Sequence, residues 1–379
     1  MAEWLKATVS KTVILSNRDR GFESHPLRHS NLGERAVVMK AQRVHLVLAG
    51  FGHVGQAFFE LIREKDECLQ NRYGLDLKLQ ALLKSDGGIM SGMGIPLGSL
   101  PEGTGRDIAL SPLWRPGLDL EAVLKKVKAG VLVECTPSDI RTGEPGLGHI
   151  RAALKAGWQV VTANKGPLVV DFKGLKSLAD AKGLTLRFSA AAAAALPTLD
   201  VGLYSLAGAE IQAIEGILNG TTNYVLTRMG EGVAYEGALR DAQDKGIAEH
   251  NPALDVEGWD TAVKLLLVAN SVLGLDLALQ DIEVEGITKI SPDLPGKTKK
   301  EGKALKLIGS LTRAGGRWEA RVSPQIIDHS HPLFGVDGTN KGISFLTDTM
   351  GTVTVIGGKS DPRGAAAALL KDIIQTFCH

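Results

Sequence analysis

Cysteine is scarce: Cys68, Cys135 and Cys378 are the only three in 379 residues. An odd number at such wide spacing excludes a disulfide framework and a cysteine-bound zinc site, and leads us to expect a reducing, cytoplasmic setting. Long apolar runs are missing too. The longest, such as "LLLVANSVLGL" at 265–275, fall short of the ~20 residues that cross a bilayer. Nor is there an excess of one charge, since 43 Lys and Arg oppose 42 Asp and Glu for a net charge of +1. With no basic block, neither nucleic acid nor a membrane surface is an expected partner, which leaves small metabolites.

What is present is an ordinary globular composition, 44% hydrophobic and 22% charged, in a chain long enough for two cored domains. Residues 1–38 stand apart. They lack the apolar centre of a signal peptide, and Glu3, Asp19, Glu23 and Glu34 argue against a transit peptide. "GFES" at 21–24 back-translates to something like the TψC arm of a transfer-RNA gene, so we expect translation to start at Met39.

From Val44 the chain reads "VHLVLAGFGHVGQAFFELIREK", an apolar run, a glycine-rich turn and then apolar residues at helical spacing. A strand apolar on both faces belongs to a parallel sheet covered on both sides. Strands at "LKLQALLK", "GVLVECT" and "WQVVTAN", with helices at "EAVLKKVKAG" and "HIRAALKAG" between them, predict a doubly wound, Rossmann-type α/β domain over 39–165. The Gly/Pro-rich stretch 85–118 reads as surface loops. Beyond Gly166 the character changes. "GLKSLADAKG" reads as a helix, "LTLRFSA" and "AEIQAIEGILNG" as strands, and "TTNYVLTRM" as a helix with Asn and Thr caps. Later strands at "GRWEARVSPQII", "GISFLTD" and "TVTVIGG" make 166–351 an α+β domain for substrate, catalysis and dimerisation, and 352–379, ending in an amphipathic helix, is expected to complete the first domain.

"GFGHVG", residues Gly50, Phe51, Gly52, His53, Val54 and Gly55, follows a strand and opens a helix in the register that seats a pyrophosphate at a helix N-terminus. The second strand ends "LLKSD", with Lys84 where an acid would hold the ribose of NAD. A cation there suits a 2′-phosphate, so NADP is the expected cofactor, with NAD the alternative. Strand ends in such a sheet deliver residues to the ligand crevice. Here they carry Cys135 and Thr136 in "ECTPSD", and Lys165 in "TANK". Cys135 without a nearby His reads as packing rather than as a nucleophile. Gly220 and Thr221 open a helix whose free amides suit a substrate carboxylate, with ordinary capping as the competing reading. "GIAEHNPALDVEGWDTAVK" then gathers Glu249, Asp255, Glu257 and Asp260 ahead of Lys264. Asp260 and Lys264 are i and i+4 beside an apolar helix face, which reads either as a structural ion pair or as a reacting pair. His250 lacks a second ligand at metal spacing.

Taken together, "GFGHVG", "VVTANKGPL", "GILNGTTNYVLTRM", "GIAEHNPALDVEGWDTAVKL" and "HPLFGVDGTNKGI", in this order, resemble the homoserine dehydrogenase family from about Met39 onward. The resemblance implies NAD(P)H-dependent reduction of L-aspartate 4-semialdehyde to L-homoserine, on the route to threonine and methionine, by a homodimer. It implies Lys264 as the proton-transferring lysine with Asp260 as its partner. Lys165 would lie near nicotinamide and substrate, and Glu249, Asp255, Gly220 and Thr221 would surround the substrate. No aspartokinase segment and no C-terminal regulatory domain is matched. Three departures stand out. The family's E-A-S-V-G-G-G-I-P reads "SAAAAAALP", so that Ser189 replaces the glutamate of a monovalent-cation site, and weak or no cation dependence is expected. Ile247 stands where an aromatic is frequent, and "IGGKSDPRGAAAA" departs from the family's glycine-rich cofactor contact. Two other readings stay open at this point: another NAD(P)-dependent dehydrogenase of an amino-acid intermediate, and a non-enzymatic cofactor-binding sensor.

Overall fold

The computed structural model describes residues 41–99, 107–358 and 360–378; the expected start at Met39 and the segment before it lie outside the described residues. β1 (Gln42–Ala49) is the centre of the first sheet. Leu46, Val47, Leu48 and Ala49 are all fully buried, because helices cover both faces. β2 (Leu75–Lys84) lies parallel to β1 on one side. On the other, β5 (Val131–Glu134), β6 (Gln159–Thr162) and β7 (Leu186–Arg187) follow in parallel order. The strand order therefore reverses between β1 and β5, and the crevice at their carboxyl ends is where such sheets bind ligands.

The stretch expected to be surface loops instead adds two strands. β3 (Gly87–Met90) runs antiparallel to β2, β4 (Trp114–Pro116) runs antiparallel to β3, and together they extend the sheet to seven strands. Glycine allows it: Gly87 has φ +151°, and a Cβ there would sit 2.5 Å from the Arg115 carbonyl oxygen. The strand expected at "LTLRFSA" shrinks to the two residues of β7, and Ser189–Ala193 turns helical, as an alanine run favours.

The second sheet has six strands in the order β13 (Thr352–Gly357), β12 (Lys341–Thr347), β8 (Ile211–Ile217), β10 (Ala304–Ala314), β11 (Arg317–Ile327) and β9 (Ile282–Val284). All its pairings are antiparallel except that of β11 with β9. Thus β7, beyond Gly166, lies in the first sheet, and β13, beyond Gly351, lies in the second.

Six helices matter below: α1 (His53–Tyr73), α2 (Gly146–Lys155), α3 (Gly166–Ala181), α4 (Gly220–Gly230), α5 (Trp259–Val272) and α6 (Pro362–Phe377). α6 returns to pack on α1, where Arg363 meets Glu64 at 2.6 Å. α5 lies against β10, with Ala262, Val263, Leu265, Leu266, Leu267 and Val268 all buried.

Candidate active site

The glycine-rich turn is shaped by backbone proximity. Gly50 has φ +92°, and a Cβ on it would come within 2.5 Å of the Cys135 backbone; one on Gly55 would strike the Gly50 carbonyl at 2.2 Å. Around Gly52, by contrast, a Cβ would meet nothing within 4 Å. The first and third glycines are thus demanded by the protein's own packing, while the second borders open space at the N-terminus of α1. That is the division of labour a bound pyrophosphate requires, and the residues fit a dinucleotide. His53 is exposed and Val54 half-buried on the first turn; the Phe51 carbonyl accepts from Gln56 Nε2 at 3.0 Å, and the Phe51 ring stands edge-on to Phe59. At the end of β2, Lys84 Nζ lies 5.8 Å over the Trp114 ring and 4.0 Å from Asp86.

Across the switch point a buried polar network links the strand ends. Glu134, fully buried at the end of β5, accepts from the Thr136 amide at 3.0 Å and from the Thr136 hydroxyl, and its other oxygen accepts from Thr162 Oγ1 at 3.3 Å. Asn164 Nδ2 reaches Thr136 Oγ1 at 3.1 Å, and Asn164 Oδ1 accepts the Gly166 amide at 3.0 Å, so the backbone on each side of Lys165 is held. Cys135 next door is no nucleophile, because burial first and the Glu134 charge second push its thiol well up.

Held this way, Lys165 crosses to α5, where its Nζ donates to Asp260 Oδ1 at 2.7 Å. Lys264 Nζ donates to the other oxygen, Oδ2, at 2.6 Å and to the Leu218 carbonyl at 2.8 Å. Asp260 therefore bridges two ammonium groups from different elements. Its side chain is 10% exposed and that of Lys264 14%, whereas Lys165, at 30%, faces the opening. Burial alone would raise the Asp260 carboxyl; Lys264 and Lys165 outweigh it and hold the group far below the usual carboxylate range. The Asp260 charge in turn raises Lys165 against its desolvation, with Asp255 and Glu249 adding to it.

Asn219, which drew no attention in the sequence beyond capping, joins the acids. Its Nδ2 donates to Asp255 Oδ1 at 2.7 Å and to Asp260 Oδ2 at 2.8 Å, while its Oδ1 caps α4 through the Thr222 amide at 2.8 Å. Burial first, then the neighbouring Asp260 charge, raise the Asp255 carboxyl. Gly220 opens α4 with the Thr339 carbonyl 2.8 Å from where its Cβ would be. The Thr221 hydroxyl is turned to the Ile247 carbonyl at 3.0 Å, so only its backbone is left to offer at the helix start. Glu249 is exposed at the rim, and His250 is exposed beside it.

The residues do not fit the monovalent cation that the resemblance implies. Ser189 donates its amide and hydroxyl to Asp372 at 2.9 and 2.8 Å, and its hydroxyl also accepts from Lys371 at 2.8 Å. The Ala193 carbonyl, in the segment of the missing glycines, accepts Lys341 Nζ at 2.6 Å. Lys341 stands in "HPLFGVDGTNKGI", but no spacing in the sequence links it to the Ala193 carbonyl, so it was given no role there.

The family model for homoserine dehydrogenase matches residues 197–374, and that for the homoserine dehydrogenase NAD binding domain matches residues 50–189. A homoserine dehydrogenase from Methanocaldococcus jannaschii is 36% identical over 88% of this chain and 98% of its own length. An NAD(+)-dependent homoserine dehydrogenase from Pseudomonas canavaninivorans is 34% identical over 87% of the chain and 95% of its own. The crystal structure of homoserine dehydrogenase from Thermoplasma acidophilum superposes with a TM-score of 0.74 at 26% identity, covering 88% of this chain and 99% of that one. The chain belongs to the homoserine dehydrogenase family, NAD(P)-dependent oxidoreductases that interconvert L-aspartate 4-semialdehyde and L-homoserine.

Proposed function

We propose that Lys264, Asp260 and Lys165 form the reacting centre for this interconversion. The observation that carries the reading is the single buried carboxylate shared by two lysines, at 2.6 and 2.7 Å, one of them at a strand end of the ligand crevice. Gly50, Phe51, Gly52, His53, Val54 and Gly55 would hold the dinucleotide at the start of α1, with Thr136 and Lys165 lining its nicotinamide end. Bound nicotinamide dinucleotide supplies the hydride. As negative charge grows on the aldehyde oxygen, Lys264 Nζ gives it a proton and takes one back in the reverse direction, while Lys165 steadies the charge. Asp260 fixes both ammonium groups. The open amides of Gly220 and Thr221 suit the substrate carboxylate, and Asp255 and Glu249 suit its ammonium. The first sheet and its helices, α6 included, serve the cofactor; the second sheet, α4 and α5 serve the substrate and a second copy of the chain.

Three finer points belong to the same proposal. Lys84 favours NADP over NAD, the protein works in the cytoplasm, and it assembles as a homodimer through the second sheet. The test of the centre is Lys264→Met, which keeps the apolar stem and removes the ammonium. We expect kcat to fall roughly 10²- to 10⁴-fold with NADPH affinity hardly changed. A purely structural ion pair predicts the reverse, a lower thermal midpoint with kcat retained. Measuring both on one preparation separates the two readings.

A further inference from the structure

Lys341 opens β12 with its side chain 1% exposed, and its Nζ donates to the Ala193 carbonyl at 2.6 Å. A buried ammonium is costly unless bonded, so its position needs a reason. The acceptor is itself unusual. Ala194, whose peptide begins with that carbonyl, has φ +52° and ψ −120°, and among the described residues it is the one non-glycine with positive φ. This is backbone that glycine adopts freely and alanine resists, and it persists only where surroundings hold it. The turn packs into the site: a Cβ on Gly358 would meet the Leu196 amide at 2.5 Å, and the short helix before the turn touches both α5 and α6. Burial first, then the Lys264 ammonium, lower Lys341 to a pKa of about 7, with Asp260 and Asp361 opposing, so the ammonium form prevails below about pH 7, where the experiments below are to be run.

We propose that the Lys341 ammonium is a built-in monovalent cation, which holds the Ala193 carbonyl and the strained Ala194 turn against α5 and so positions Lys264, in place of an exchangeable metal ion. The proposal rests on the reading of Lys264 and Asp260 as the reacting centre. It also accounts for the departures in this segment together. Ser189 has no cation to ligate and serves Asp372 instead. Alanine at 194 is tolerated because a tethered cation pins the turn. Lys341 is a positioning residue.

Removing the side chain should open a cation-sized hollow beneath a carbonyl. In choline-based buffer at constant ionic strength, Lys341→Ala is expected to lose about 10- to 100-fold in kcat. Potassium, sodium or methylammonium should restore it saturably, and the same ions should raise its thermal midpoint without substrate. Lys341→Met, which fills the hollow, should lose rate and respond to none of them. The unaltered protein should show no saturable cation activation. Should Lys341→Ala fail to fold, the double variant with Ala194→Gly, whose turn needs no pinning to form, carries the same midpoint titration. Wild-type turnover in Lys341→Ala, a loss with no cation response in rate or midpoint, or saturable cation activation of the unaltered protein would each overturn the proposal. Failure of the underlying reading looks different: Lys264→Met would then keep its turnover, while the midpoint response of Lys341→Ala still reports on the hollow.

Discussion

Asp260 shows how a single residue joins what was and was not readable in the sequence. Its partnership with Lys264 follows from i,i+4 spacing on a helix, and the 2.6 Å contact is that geometry realised. Its second partner, Lys165, lies 95 residues earlier, and no local pattern links them; the resemblance alone placed both at one site. Beyond the capping role of Asn219 and the place of Lys341 in "HPLFGVDGTNKGI", the roles of Asn219, Glu134 and Lys341 were not legible, because a buried polar residue gains its role from partners that only the folded chain supplies. The charge on Asp260 makes a prediction about pH. Its folded carboxyl is held far below the unfolded value of 3.8, so its contribution to stability is fully present above that value and is lost as pH falls through the folded one. Asp260→Asn leaves two ammonium groups without their shared anion. We expect it to lower kcat at least about 10²-fold and to lower unfolding free energy in urea. The stability gap to the unaltered protein should be constant from pH 5 to 8 and should narrow below about pH 4.

At the scale of elements, the strands with two-sided apolar runs and the helices with apolar spacing were readable, since pattern and burial coincide there. The stretch 85–118 was not. Its glycines and prolines suggested loops, yet Gly87 and Gly88 let β3 lie close against its neighbours, with the Arg115 and Leu82 carbonyls where side chains would be. β10 was missed for another reason: "ALKLIGSLTRA" places Lys306 and Gly309 within an apolar run and blurs its period, although Lys306 is buried on the carbonyl of Val336 and the carboxylate of Asp337. The extra strands matter for the cofactor. They bring Trp114 under Lys84, so the ammonium at the end of β2 lies over a ring, 5.8 Å from its centroid. In the proposed NADP complex such a cation would meet the 2′-phosphate, whereas it would have little to offer a 2′-hydroxyl. Lys84→Ala is therefore expected to raise KM for NADPH about tenfold or more, and KM for NADH by much less. Steady-state rates with both cofactors decide it, and equal effects would remove the argument for NADP.

On the scale of the whole molecule, the chain closes on itself before any second copy is considered. α6, the last helix described, packs on α1, and Asp372 and Lys371 on α6 bind Ser189 and Asp200. Lys165, Asp260, Lys264 and Asn219, which the proposed reacting centre uses, all come from one chain. The proposed homodimer needs an exposed apolar patch, and the second sheet offers one. On β12 and β13, Leu346 and Ile356 are 43% and 51% exposed, and the strand register puts them on the same face as Ser344 and Thr354. In the proposed homodimer, a two-fold axis would lay each copy's β12 and β13 against the other's. Replacing both Leu346 and Ile356 by Asp sets like charges against each other across that axis and desolvates them. Sedimentation should then show a single chain where the unaltered protein shows two, and the thermal midpoint should fall as burial is lost. If the proposed centre draws on one chain alone, kcat of the separated subunits should stay within about tenfold of the dimer, a smaller loss than removal of Lys264 Nζ should cause. An inactive but folded single chain would mean that the second copy completes or positions the site, and that Lys165 and Lys264 depend on it for their geometry.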